Sequence, residues 1–273
     1  KRRTEDLYVL NDSFREQIEE YCFEDLEVNM IRFFVYHDLE PENDNNDPYS
    51  LDESQLDWTR YDSDPNNWRT RYVGEALQNA FNLSINGFDH VIGNSNSAPA
   101  WLKTNGQHNG GGTLISGGES EFSEFLVAFL SGMESRYGIE VTAISPTNEP
   151  DYEVSYESMN TIPSELSSIL INLNSRLANS GLDHIKIVSP ECFRVESQNA
   201  GTSATNYINA MFQNSAAEEA VDIVGTHTYA DPNHNANWNA LKVAANGKPV
   251  WVTESANLNS ADQSMTDAAN YIK

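Results

Sequence analysis

Two periodicities of apolar and polar positions take turns along this chain. Residues 12–27 (DSFREQIEEYCFEDLE) repeat apolar and aromatic side chains at helical spacing, with Asp12 or Ser13 placed to cap the first turn. Residues 28–36 (VNMIRFFVY) then form an apolar run of strand length. The helix-to-strand unit recurs, with helices around 70–84, 119–136, 163–179, 204–213 and 236–245 preceding strands at 88–93, 139–144, 185–188, 221–225 and 249–253. A further helix is expected at about 262–272.

Short apolar strands separated by amphipathic helices predict a parallel sheet covered by helices, either doubly wound or closed as a (β/α)₈ TIM barrel. No glycine-rich GxGxxG or GxxxxGK[ST] follows any of these strands, which argues against a nucleotide-binding sheet and favours the barrel. Six strands are legible. One strand ahead of residue 12 and one beyond residue 273 are missing from the count, so the expectation is an incomplete α/β barrel forming a single domain over 1–273.

Composition narrows the partners. Against 16 Lys and Arg stand 41 Asp and Glu, a formal charge of −25 that repels phosphate backbones and anionic membranes, so nucleic acid is excluded as an expected partner. With 5 Trp, 12 Tyr and 11 Phe the chain is too aromatic for a disordered acidic protein. No run of about 18 apolar residues spans a membrane, and the opening KRRTED lacks the apolar segment of a signal peptide. An exported protein would then have lost its signal from this sequence. Cys22 and Cys192 lie in separate apolar stretches and are expected as two buried thiols. Residues 38–47 (DLEPENDNND) offer oxygens of the kind calcium takes, but without the glycine and final Glu of an EF-hand they read as a solvated turn, and no metal is expected. Residues 106–112 (GQHNGGG) read as a flexible loop, since no strand feeds them as in a phosphate cradle.

In a barrel, functional side chains gather where strands end at the C-terminal face. One strand runs into SPTNEP with Glu149, and another into TES with Glu254. Two carboxylates at equivalent heights suit glycoside hydrolysis with retention, which needs such a pair about 5 Å apart. The plainer alternative is that each is a surface loop residue. Arg32, inside an apolar strand, is a buried cation that requires a carboxylate. Asn94, Glu191 and Trp251 also fall at strand ends and join the candidates.

TNEP at 147–150 and WVTES at 251–255 resemble the acid/base and nucleophile strands of clan A glycoside hydrolases. SAPAWLKTNG at 97–106 and NGGGTL at 109–114 make the chain similar to glycoside hydrolase family 30, in order over about residues 14–270. The resemblance implies a retaining mechanism without metal or organic cofactor, with Glu149 as acid/base, Glu254 as nucleophile and Asn148 as donor to the sugar 2-hydroxyl. It also implies Glu254 as the partner of Arg32, and His227 and Tyr229 as residues lining the site, with Tyr229 donating to Glu254; the alternatives are a structural salt bridge for Arg32 and side chains that simply fill the barrel mouth for His227 and Tyr229. Trp101 is expected to stack a sugar ring, the alternative being a packed loop tryptophan. The β-sandwich side domain of that family is not visible here. The implied substrate is a β-linked polysaccharide, xylan-type hemicellulose cleaved by an endo-acting, secreted, monomeric enzyme; β-1,6-glucan, β-1,6-galactan and glucosylceramide branches remain open. A catalytically silent barrel that only binds glycans is the competing reading.

Overall fold

In the computed structural model, which describes residues 8, 12–45, 47, 49–50, 52–196, 203–229 and 234–255, the apolar runs form parallel strands hydrogen-bonded in chain order. These are β1 (Met30–Val35), β2 (His90–Ser95), β3 (Ala143–Ser145), β4 (Lys186–Cys192), β5 (Ile223–His227) and β6 (Val250–Glu254). Helices α1 (Asp12–Glu20), α2 (Val73–Leu83), α3 (Glu119–Tyr137), α4 (Pro163–Asn179), α5 (Ala204–Met211), α6 (Ser215–Ala220) and α7 (His234–Ala244) alternate with them. Among the described residues the six-stranded sheet and its helices are those of a (β/α) barrel with six strands in place. The helix expected at 262–272 lies outside the described residues.

Side-chain alternation along the strands divides the core in two. Ile31, Phe33 and Val35 of β1, Val91, Ile144, Ile187 and Val224 belong to the large cluster shared with the helices. Ile92, Ala143, Val188 and Ile223 form a second, inner layer, against which Trp251 packs. The inner layer draws the two sheet edges toward each other: the Trp251 ring of β6 lies 4.4 Å from the His90 ring of β2, and Arg32 of β1 reaches Glu254 of β6 at 2.6 Å. The sheet is therefore strongly curled.

Local chemistry explains most element ends. Ser203 caps α5 by accepting from the Asn206 N–H at 3.2 Å, and Asn214 caps α6 by accepting from Ala216. Gly138 ends α3 in the left-handed conformation, with φ at 66°. Several boundaries depart from expectation: the strand expected from 139 begins only at Ala143, and the stretch expected to be helical over 12–27 is α-helical only to Glu20. The strand expected at 185–188 continues as β4 to Cys192, because Pro190 sits beside a register shift where its missing N–H leaves no broken ladder. The helix expected at 204–213 is α5, ending at Met211, and a second short helix not foreseen from the sequence, α6, follows Asn214, whose side chain caps it.

Cys22 and Cys192 are both free thiols, as expected, but only Cys192 is buried, Cys22 being half-buried; burial pushes Cys192 well above the usual thiol range. Among the described residues no helix is long and apolar enough to cross a membrane. In the outer core, Phe129 of α3 is fully buried against Phe33, Trp58 and Tyr61, with ring centroids 5.9 to 6.2 Å apart. Phe129→Ala is expected to cost about 3–5 kcal/mol in urea unfolding, since this aromatic nest cannot collapse around the void. A cost below about 1 kcal/mol would mean that α3 does not anchor the sheet.

Candidate active site

The candidate carboxylates stand on short, unusually held backbone. Past the end of β3, the Ser145 hydroxyl donates to the Thr147 carbonyl at 2.9 Å, and the Thr147 hydroxyl donates to the Pro190 carbonyl at 3.2 Å. The Glu149 N–H then bonds the Glu191 carbonyl at 2.8 Å, locking the end of β3 to β4. Glu149 and Glu191 both adopt left-handed backbone, with φ of 49° and 62°. A non-glycine residue in that region costs on the order of 1–3 kcal/mol, so the surrounding hydrogen bonds must hold it there.

Arg32 organises the cluster from the opposite side. One terminal nitrogen of its guanidinium donates to Glu254 at 2.6 Å; the other donates to Glu191 and to the Asn148 carbonyl oxygen, each at 2.9 Å. Because that oxygen faces the guanidinium, the Asn148 amide N–H₂ is turned away as a donor. The second oxygen of Glu254 accepts from the Tyr229 hydroxyl at 2.8 Å. Glu149 in turn sits 3.0 Å from Nδ1 of His227 and accepts from the Tyr156 hydroxyl at 3.3 Å. One oxygen each of Glu149 and Glu254 and a ring nitrogen of His227 all lie within 4.8 Å of one another.

Burial would favour neutral groups here, yet ion pairing prevails for two of them. Burial alone would raise the Glu191 carboxyl, but Arg32 and His227 hold it below the usual range. Burial likewise opposes charge on His227, and its bonds to Glu149 and Glu191 outweigh this and raise it. Burial beside Glu149 pushes the Tyr156 hydroxyl up to about 12, and burial beside Glu254 raises Tyr229 further, so both remain donors. Space is shaped to match: a β-carbon on Gly225 would run into a Glu191 oxygen, so glycine at that inward position leaves room for the carboxylate. Glu149, His227 and Glu254 are close enough to share a metal ion. Arg32 already supplies the positive charge to Glu254, which disfavours a cation at that spot.

Of the candidates named from sequence, Arg32, Asn148, Glu149, Glu191, His227, Tyr229 and Glu254 come together in this one network. The others stand apart from it. Asn94 is buried and donates to Asn96 at 2.8 Å. Trp101 packs on the outer core, with its indole N–H donating to the Glu40 carbonyl at 3.1 Å. Trp251 lies lower in the barrel on the inner apolar layer, which makes it a filler of the barrel rather than a wall of the cleft. Tyr156 was not foreseen, since a tyrosine seven residues past Glu149 in a loop carries no periodic signal. Nor was the role of His227 as a bridge between Glu149 and Glu191, 3.3 Å from the latter.

The parallel-stranded fold is shared with solved (β/α) barrels, and the matching family model defines the class: a glycoside hydrolase. The chain belongs to glycosyl hydrolase family 59, whose sequence model matches residues 89–273. The matching model is thus that of family 59 and not of family 30, although family 30 enzymes stand among the similar structures. Glucuronoxylanase XynC of Bacillus subtilis is 27% identical over 146 residues, 52% of this chain and 30% of that protein. SrfJ from Salmonella typhimurium superimposes with a TM-score of 0.77 at 19% identity, over 97% of this chain and 57% of its own. The endo-β1,6-glucanase BT3312 gives 0.72 at 16% identity, over 92% and 54%. The family 30 subfamily 8 xylanase Xyn30A from Clostridium acetobutylicum gives 0.65 at 18% identity, over 93% and 55%. These structural likenesses establish the fold. The chain spans just over half of these solved chains and less than a third of the curated relative.

His227 provides a test of the electrostatics. Its folded pKa lies above the unfolded value of about 6.5, so its stabilising contribution is complete below about pH 6.5 and is lost as pH rises through the folded value. A nitrogen-15 NMR titration should place the His227 midpoint above about 6.5, and wild-type stability should fall with rising pH through that midpoint more than that of His227→Asn. A midpoint below about 6.5 would contradict this charge distribution.

Proposed function

We propose that this chain is the catalytic barrel of a retaining β-glycanase, with Glu254 as nucleophile and Glu149 as acid/base. The observation that carries the reading is the pair of carboxyl groups at the ends of β3 and β6 with oxygens within 4.8 Å of each other. That separation suits direct attack by one carboxylate on the anomeric carbon and leaves no room for the water of an inverting enzyme, which needs about 6.5–9.5 Å.

The two ends of the pair differ in their partners, and the difference supports the division of roles. Glu254 receives the Arg32 guanidinium and the Tyr229 hydroxyl, which stabilise negative charge on the attacking group. Glu149 bonds to His227 and Tyr156. In the first step Glu254 attacks and Glu149 protonates the departing oxygen. Once the glycosyl ester forms, Glu254 loses its negative charge, and Arg32 and His227 are left to stabilise Glu149 as the carboxylate that deprotonates water. The Asn148 amide, oriented by Arg32, donates to the sugar 2-hydroxyl.

The proposed substrate is a xylan-type polysaccharide, cleaved internally by a secreted, monomeric enzyme whose barrel is a single domain over 1–273. Similarity to a glucuronoxylanase and to family 30 xylanases supports that choice. The likeness to an endo-β1,6-glucanase favours β-1,6-glucan as the second reading. Reducing-sugar release from xylan, β-1,6-glucan and β-galactan separates these, and release from none would favour a glycan-binding barrel.

The division of roles has a kinetic consequence. Glu254→Ala should abolish turnover of every substrate, aryl glycosides included. Glu149→Ala should lose activity on natural sugar leaving groups by about 10²–10⁴-fold, yet still give a burst of phenolate from an activated aryl glycoside. Azide should rescue Glu149→Ala with a β-azide product and Glu254→Ala with an α-azide. Identical behaviour of the variants, or swapped azide stereochemistry, would reverse or remove the assignment.

A further inference from the structure

Away from the cleft, three carboxylates meet between the loop after β1 and helix α3. Glu40, Asp44 and Glu124 each place an oxygen within 4.8 Å of the other two. The acidic stretch expected to be a solvated turn is therefore only partly so: Asp44 is exposed, but Glu40 is 2% exposed and Glu124 3%. Glu40 Oε1 accepts a long bond of 3.4 Å from the Asp44 N–H, while Oε2 is buried and without a hydrogen-bond partner. An unpartnered buried carboxylate oxygen is destabilising unless something fills its lone pairs. Burial, joined by the neighbouring acids, pushes both Glu40 and Glu124 up to about 8. Further acids surround them, since Asp44 and Asp47 both raise Glu121, and Arg176 is the cation that acts on Glu121 and Glu124.

We propose that Glu40, Asp44 and Glu124 form a calcium site that ties the loop after β1 to α3. Calcium binds carboxylate oxygens at about 2.3–2.6 Å in flexible geometry, so oxygens on opposite sides of one ion stand up to about 4.8 Å apart. The three groups fall within that span. Magnesium demands about 2.0–2.1 Å in a near-ideal octahedron and keeps its waters, which suits a cluster with two buried carboxylates poorly. A divalent ion would satisfy Glu40 Oε2 and offset the repulsion among the three carboxylates. It would also fix the Glu40 carbonyl that holds the Trp101 indole, coupling the ion to the loop after β2.

Calorimetric titration of chelator-treated protein with CaCl₂ at pH 7.5 should show one site. Calcium about 100-fold above its Kd should raise Tm by about 5 °C relative to protein in chelator. Glu40→Gln/Glu124→Gln should lose that shift while its chelator Tm equals or exceeds the wild-type value. Asp44→Asn, an exposed change that leaves the fold intact, should weaken calcium at least about tenfold, and it carries the test if the double variant does not fold. No calcium-dependent shift in wild type, a shift undiminished in Asp44→Asn, or an equal shift with magnesium would overturn the site.

Discussion

The placement of Arg32 is the constraint on which the rest of the site depends. A guanidinium on the inner face of β1 cannot remain unpaired, because removing one partner from a buried charge costs roughly 3–5 kcal/mol. Its two terminal nitrogens reach Glu254 on β6, Glu191 on β4 and Asn148 after β3, so one side chain draws four strand ends together. The curl of the sheet, the orientation of the Asn148 amide and the position of the proposed nucleophile all follow from that demand.

The inner apolar layer and the polar mouth divide the barrel by height. Ile92, Ala143, Val188, Ile223 and Trp251 fill the lower interior by burial, while higher positions on the same strands carry Glu191, His227 and Glu254. The apolar layer excludes water from beneath the charged network and strengthens its electrostatics. The left-handed backbone at Glu149 and Glu191 belongs to the same design, since strain confined to two strand ends turns both carboxyl groups into one cluster.

Much of this was legible in the sequence because it rests on period and position. Alternating helical and strand patterns identified six strands, and acidic residues at the ends of two of them pointed to Glu149 and Glu254. Arg32 stood out as a cation in an apolar strand. What escaped depends on contacts between distant segments. β4 runs past Val188 because Pro190 fits a register shift, which no local propensity announces. Tyr156 reaches Glu149 through a loop. Glu40 sits among polar residues whose composition predicts solvent, yet Trp101 and α3 cover it. Trp251 occupies a strand position that suits a cleft equally well, and only the three-dimensional register puts it in the lower layer.

The central claim is that a carboxylate held by Arg32 and Tyr229 attacks the anomeric carbon. The most direct measurement is mass spectrometry of protein incubated with activated 2-deoxy-2-fluoro β-glycosides of the xylo, gluco and galacto series, followed by peptide mapping. The account predicts a single covalent glycosyl adduct on Glu254, formed by wild type and by Arg32→Lys at a lower rate. An adduct on Glu149 or Glu191, or turnover of the natural polymer with inversion at the anomeric centre, would contradict it.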